Sequence, residues 1–263
     1  MQLGGQGGKR AAAEEGARRE NLRIYEENWS EWLDMKQYGP SSRWLRALIL
    51  DAICPIGVAP GSVLDVGCGE GSITELLARQ FPGASVTGTD QSPEAIRCAN
   101  SRYTGKNLSF CIENPGEAVN ARFDLVACFE VLEHVDDWRC FLDRLCDRSG
   151  RHLLLSFPTG RMRPFEKSVG HVRNFLPGEV ETHLESRGFL PASVAYAGFP
   201  FYSPFYRDIC QITNAGTNAF TRGRYTWKQK AVAGAILFAF RRLSTQRRWG
   251  DQFVGLFLRS GEG

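Results

Sequence analysis

The chain has 263 residues, 43% of them apolar and 23% charged. That is enough to bury one substantial core, and the usage is too ordinary for a disordered chain, a coiled coil or a collagen-like fibre. Thirty-two Lys and Arg stand against 29 Asp and Glu, for a net charge of +3, which is too even for a dedicated nucleic-acid binder, so no nucleic-acid partner is expected. The charge is unevenly placed, because residues 200–250 carry nine basic residues (Arg207, Arg222, Arg224, Lys228, Lys230, Arg241, Arg242, Arg247, Arg248) and one acidic, Asp208. The rest of the chain is therefore net acidic.

The first 20 residues are Gly-rich and then charged, and read as a disordered tail without a signal-peptide core. Eight cysteines with no C-x-x-C pair, several inside apolar runs, read as buried thiols of a reducing cytoplasm. Residues 21–58 carry helical spacing broken by Gly39-Pro40, which predicts an N-terminal helical cap. From about residue 59 short β-branched or apolar runs alternate with amphipathic stretches, the pattern of βαβ units and a parallel sheet. Strands are expected near 62–66, 84–89, 108–112, 123–128, 151–157 and 192–197, and helices near 71–80, 92–102, 136–147 and 177–188. A last strand, QFVGLFLR at 252–259, follows a basic, aromatic segment at 198–250 that reads as a helical lid inserted before it. The expected fold is α/β: a Rossmann-like core over 59–197, and 251–263 supplying the last strand. The apolar run AVAGAILFAF at 231–240 is too short to span a bilayer. With its flanking cations it allows peripheral membrane contact through 220–250.

The informative stretch is VLDVGCGEGS at 63–72, an apolar strand that ends in Asp65 and then runs through Gly67, Gly69 and Gly71 into a helix. Such a turn brings backbone close to a ligand at the carboxyl end of a strand. Asp90 ends the next strand about twenty residues on, where an acidic side chain can hold both hydroxyls of a ribose. The spacing is D-x-G-x-G-x-G. A dinucleotide site would put a pyrophosphate where Asp65 stands, whereas Asp65 suits an α-amino group; the pattern therefore favours a nucleoside joined to an amino acid over NAD.

Three motifs in order, VLDVGCGEGS, VTGTDQSPEAIRCA at 86–99 and FDLVACFEVLEHV at 123–135, closely resemble the class I S-adenosylmethionine (SAM)-dependent methyltransferases, above all the branch of the ubiquinone-biosynthesis O-methyltransferases. The resemblance covers about 60–197. It implies a seven-stranded, mostly parallel sheet with the last strand antiparallel. It also implies SAM as cofactor, with Asp65, Gly67, Cys68 and Gly69 around its methionine part, Asp90 on the ribose, and Gln91, Asn114 and Phe129 completing the pocket. Asn114 stands where the family usually has Asp, and its amide oxygen still accepts a hydrogen bond from an adenine amine.

Methyl transfer to a hydroxyl requires alignment and removal of a proton. Glu130, Glu133 and His134 fall as E-x-x-E-H at the fourth strand end, and His171 follows the fifth strand in GHVRNF. His134, His171 and Glu130 are the candidate catalytic residues. Glu130, Glu133, His134 and His171 also form a candidate site for a divalent cation such as Mg²⁺. His152 and His183 read as structural, and Asp136 and Asp137 as caps of the next helix. Arg43, Arg46, Arg161, Arg163, Lys167 and Arg173 could meet an anionic group of the acceptor, which is expected to be a small molecule, a glycan or a lipid-linked glycan. O-methylation is favoured. The rivals are an N-methyltransferase of the same fold, an NAD-dependent oxidoreductase and a non-catalytic SAM-binding module.

Overall fold

The computed structural model of the chain describes residues 31–113, 121–212 and 223–261. Residues 1–20, read as a tail, and Asn114 lie outside these. The first described helix, α1, covers 31–38, and Gly39-Pro40 then breaks the path before α2 (Pro40–Ile53). Pro40 sits in the first turn of α2, where its missing N–H costs nothing. Trp44, Leu48, Ile49, Ala52 and Ile53 make one apolar face, and all five are buried in the main core. The predicted N-terminal cap thus contributes directly to that core.

The elements β1 (Ser62–Val66), α3 (Ser72–Gln80), β2 (Ser85–Asp90), α4 (Pro93–Arg102), β3 (Leu108–Ile112) and β4 (Phe123–Phe129) follow in alternation. After them come a short 3₁₀ turn, Leu132–His134, then α5 (Trp138–Arg148), β5 (Ser149–Pro158), α6 (Pro164–Ser168), α7 (Glu179–Ser186) and β6 (Phe189–Ala197). Among the described residues, the segment read as a lid comprises a π-helical turn, Phe201–Tyr206, and the helices α8 (Arg207–Ile212) and α9 (Trp227–Leu243), before β7 (Gln252–Arg259) closes the sheet. Caps set several boundaries: Ser92 accepts from the N–H of Ala95 at the start of α4, and Asp137 from that of Cys140 at the start of α5.

The seven strands lie in the order β3-β2-β1-β4-β5-β7-β6. β1, β2, β3, β4 and β5 pair in parallel, while β7 runs antiparallel to both β5 and β6. Alternate residues of each strand serve opposite faces. In β4, Leu125, Ala127 and Phe129 join the core beneath α2 and α3, and Val126 and Cys128 join the one beneath α5 and α7. β1 and β4 are neighbours although β2 and β3 intervene in sequence, so the chain changes winding direction between them and a crevice opens at their carboxyl ends.

Two expectations need correction. β6 begins at Phe189, before the predicted residue 192, because Pro191 is accommodated at an irregularity in register on an edge strand. The thiols are also not uniformly buried: Cys54, Cys111 and Cys140 are exposed, while Cys98, Cys128 and Cys146 are buried. The stem of the lid is closed by its own two ends. Gly198 N–H donates to Thr245 O at 2.8 Å, Gly250 N–H donates to Tyr196 O at 2.9 Å, and a Cβ on Gly250 would lie 1.8 Å from Ala197 O. Only glycine fits there.

Candidate functional site

The glycine turn after β1 follows the tips of β1 and β2. Gly67 and Cys68 both donate their N–H groups to Thr89 O, at 2.8 and 2.9 Å. Gly67 has φ +76°, and a Cβ on it would lie 2.5 Å from Val131 Cγ2. The turn is therefore wedged between β2 and the loop after β4, with its backbone at the crevice.

Asp65 is 1% exposed. Its Oδ2 accepts from Thr74 Oγ1 at 2.7 Å, while its Oδ1 is buried with no hydrogen-bond partner. Burial raises its pKa to about 7, helped by the nearby carboxylates of Asp90 and Glu70 and opposed by Thr74. A buried carboxylate with one unpartnered oxygen fits a site completed by a cationic ligand group. Asp90 Oδ2 accepts from Gly69 N–H and its Oδ1 from Ser92 N–H, both at 2.9 Å. Burial raises this pKa too, against those backbone hydrogen bonds. One carboxylate thus ties the glycine turn to the start of α4, with exposed Gln91 beside it. Cys68 is held as a thiol, because burial pushes its pKa well above the usual value. Phe129 is 6% exposed and packs in the core on the α2 side.

The second half of the site forms after β4. Glu130 has φ +55°, an uncommon conformation for a side chain other than glycine. Its N–H donates to Ser156 O at 3.0 Å, and its Oε1 accepts from Ser156 Oγ at 2.8 Å and Gln252 Nε2 at 2.9 Å. Neighbouring strands β5 and β7 thus hold Glu130 in place. Three residues on, Glu133 is fully buried and neither carboxylate oxygen has a hydrogen-bond partner. Burial and the Glu130 charge drive its pKa well up.

His134 Nδ1 lies 3.0 Å from Gly170 O, which fixes the proton on Nδ1 and puts the lone pair on Nε2. The His171 ring meets it edge-on at 4.7 Å. Burial and His171 lower the His134 pKa to about 4, so its ring is neutral at neutral pH. Burial also lowers that of His171, against the pull of Glu130. Ligand atoms of Glu133, His134 and His171 all lie within 4.8 Å of one another. The structure therefore brings together His134 and His171, 37 positions apart in sequence, with Glu133 between β4 and the loop after β5. That group does not include Glu130, whose Oε1 is engaged by Ser156 and Gln252.

His183 pairs with Asp143 at 2.8 Å and packs on Trp138, as expected of a structural residue. The arginines expected at the mouth are partly diverted. Arg163 is 3% exposed and binds Asp208 at 2.6 Å, Asp251 at 3.2 Å and Ser203 Oγ at 2.9 Å, so it fastens the lid to the core. Arg161 joins it on Asp208, Arg207 pairs with Glu166, and Arg46 donates to the carbonyls of Lys36 and Gln37. Sequence reasoning missed Ser156 and Gln252, which hold Glu130, and Lys36, whose charge acts on both Glu133 and His134. Nothing local marks a strand serine or glutamine as a partner of a residue 26 or 122 positions away.

Residues 41–193 match the family described as methyltransferase domain. Among curated proteins, the chain is similar to the ubiquinone biosynthesis O-methyltransferase of Serratia proteamaculans (strain 568), 36% identical over 116 residues, covering 41% of this chain and 47% of that protein. It is also similar to that of Psychrobacter arcticus, 40% identical over 95 residues, covering 34% and 36%. The matches thus span about half the length of these relatives or less. Among solved structures, magnesium protoporphyrin IX methyltransferase from Synechocystis PCC 6803 with bound SAM aligns at a TM-score of 0.56 with 17% identity, covering 91% of this chain and 97% of that one. The N-methyltransferase from Bradyrhizobium japonicum WM9 in complex with S-adenosylhomocysteine (SAH) aligns at 0.57 with 16% identity, covering 91% and 98%. These distant likenesses concern the fold, and the family match covers more than half of the chain. The chain belongs to the methyltransferase-domain family.

Proposed function

We propose that the chain transfers the methyl group of SAM to an oxygen of a small-molecule or lipid-linked acceptor, with His134 as the proton acceptor. Bound SAM supplies a methyl group made electrophilic by its sulfonium. The glycine turn offers backbone to its methionine part, Asp65 offers a carboxylate to its ammonium, and Asp90 one to its ribose. The observation that carries the catalytic part is the His134 Nδ1 contact with Gly170 O, because it leaves the lone pair of a neutral imidazole on Nε2, in a ring that packs beside His171 and Glu133. The curated relatives named as O-methyltransferases support oxygen as the acceptor atom.

A second reading is favoured by the buried, unpartnered Glu133 carboxylate beside two imidazoles. Glu133, His134 and His171 fit a divalent cation, which would supply Lewis-acid activation of an acceptor hydroxyl. SAH formation from SAM, with fractionated cell extract and membranes as acceptor, tests both readings. Turnover that persists in EDTA and falls in His134→Ala supports His134 as base. Turnover abolished by EDTA and restored by Mg²⁺ supports the cation. Turnover unchanged in His134→Ala would refute both.

A further inference from the structure

α9 has two apolar faces. Ala233 and Phe240 turn inward and are fully buried, with Phe240 packed against Trp44, Tyr202 and Tyr206. The outward side carries an apolar stripe of Trp227 at 75% exposure, exposed Ala231 and Ala235, and Phe238 at 63%, with Val232 at 48% and Leu243 at 58% on its flank. The spacing of 227, 231, 235 and 238 places these positions on one side of the helix, with Arg242 next along the same row. A surface helix with a buried apolar side, an exposed apolar stripe and cations at both ends suits a water–lipid interface, and this one lies at the surface of the described structure.

The charges around the face are of one sign. Residues 223–250 contain seven basic residues and no Asp or Glu. Lys228 stands at one end of the apolar strip and Arg241 and Arg242 at the other. Past Arg247 and Arg248, Trp249 is 77% exposed with φ +65°. Phe199, 42% exposed, is held beside the end of α9 by a hydrogen bond from Thr245 N–H to its carbonyl. At 17 residues α9 is about 25 Å long. No described helix is long and apolar enough to cross a membrane.

We propose that the outward face of α9 docks the protein on an anionic lipid surface. The helix lies parallel to the bilayer with Trp227, Ala231, Ala235 and Phe238 in the interface, and its terminal cations, with Arg247 and Arg248, meet the headgroups. Charge complementarity selects this occupant over a second copy of the chain: an antiparallel pair of α9 helices would set Lys228 against Arg242 twice, and a parallel pair would set each against itself. This inference stands whichever atom accepts the methyl group. It also gives the lid a role as platform, since α9 contacts α2 and the π-helical turn over the core.

The test is co-sedimentation of the full chain with phosphatidylcholine vesicles, with and without phosphatidylglycerol. Binding should require phosphatidylglycerol and weaken with added salt. Arg241→Gln with Arg242→Gln should weaken it roughly 25-fold, at about fivefold per basic residue lost. Phe238→Ser should weaken it independently while leaving the thermal midpoint unchanged, because the side chain is exposed. Failure to bind anionic vesicles, equal binding to neutral ones, or indifference to all three substitutions would overturn the proposal. A dimer in sedimentation velocity that Phe238→Ser dissociates would assign the face to a second copy instead.

Discussion

Replacement of Asp65 by Asn removes a charge from the centre of the site while nearly preserving its shape. In the folded protein the Asp65 pKa rises from 3.8 to about 7. A carboxyl with a raised pKa favours folding fully below its unfolded pKa, and that contribution is lost as pH rises toward the folded pKa. At 1.36 kcal/mol per pKa unit, the ligand-free protein loses up to about 4 kcal/mol from this residue between about pH 4 and pH 7. The loss is complete above pH 7. Asp65→Asn does not titrate, and its side-chain oxygen still accepts from Thr74. Urea unfolding of both proteins at a series of pH values from about 5 to 8 isolates the effect, because the contributions of distant groups cancel in the difference. The substituted protein should gain on the wild type by about 1.4 kcal/mol per pH unit up to about pH 7 and no further. It should also bind SAH at least about tenfold more weakly, because a charge-assisted hydrogen bond to the amino group is lost. A stability difference that stays constant across the pH range would refute the assignment of the buried charge to Asp65.

Other substitutions test separate parts of the structure. Arg163→Ala removes the buried guanidinium that joins Asp208, Asp251 and Ser203, while Arg161 stays on Asp208, and should cost about 1–3 kcal/mol, read as a lower unfolding midpoint; an unchanged midpoint would show that this joint does not hold the segment. Gly250→Ala forces a methyl group onto Ala197 O and should destabilise by about 3 kcal/mol in the same assay, and a neutral result would mean that the stem of the lid opens freely. His134→Ala should leave the SAH dissociation constant intact and lower kcat by about 10²–10⁴, and a change confined to SAH binding would remove His134 from proton transfer.

Local signals in the sequence are enough to place the sheet and the glycine turn at its carboxyl edge. The glycine turn and the Asp at the second strand end are set by residues close in sequence, and they reappear after β1 and at the end of β2 in a mostly parallel sheet. The E-x-x-E-H spacing likewise follows from one strand end. The arrangement around it does not. Glu130 depends on Ser156 and Gln252 from separate strands, and His134 depends on Gly170, whose carbonyl reaches it only because the loop after β5 folds back over the 3₁₀ turn. Arg163 shows the converse difficulty. A cation near a strand end reads equally well as a ligand for substrate or as an anchor, and only the positions of Asp208, Ser203 and Asp251 show that it fastens the lid. The exposed Cys54, Cys111 and Cys140 went unrecognised for a related reason, since an apolar neighbourhood in sequence does not specify which side of an element faces solvent.

The central claim is that a nucleoside bearing an amino acid binds at the carboxyl ends of β1 and β2. Isothermal titration of SAH and of NAD into the wild type and Asp90→Ala tests it most directly. SAH should bind the wild type, NAD should not, and Asp90→Ala should weaken SAH at least about tenfold, through loss of the ribose hydrogen bonds and of the tie from the glycine turn to α4. Undiminished SAH binding by Asp90→Ala, or saturable NAD binding by the wild type, would contradict it.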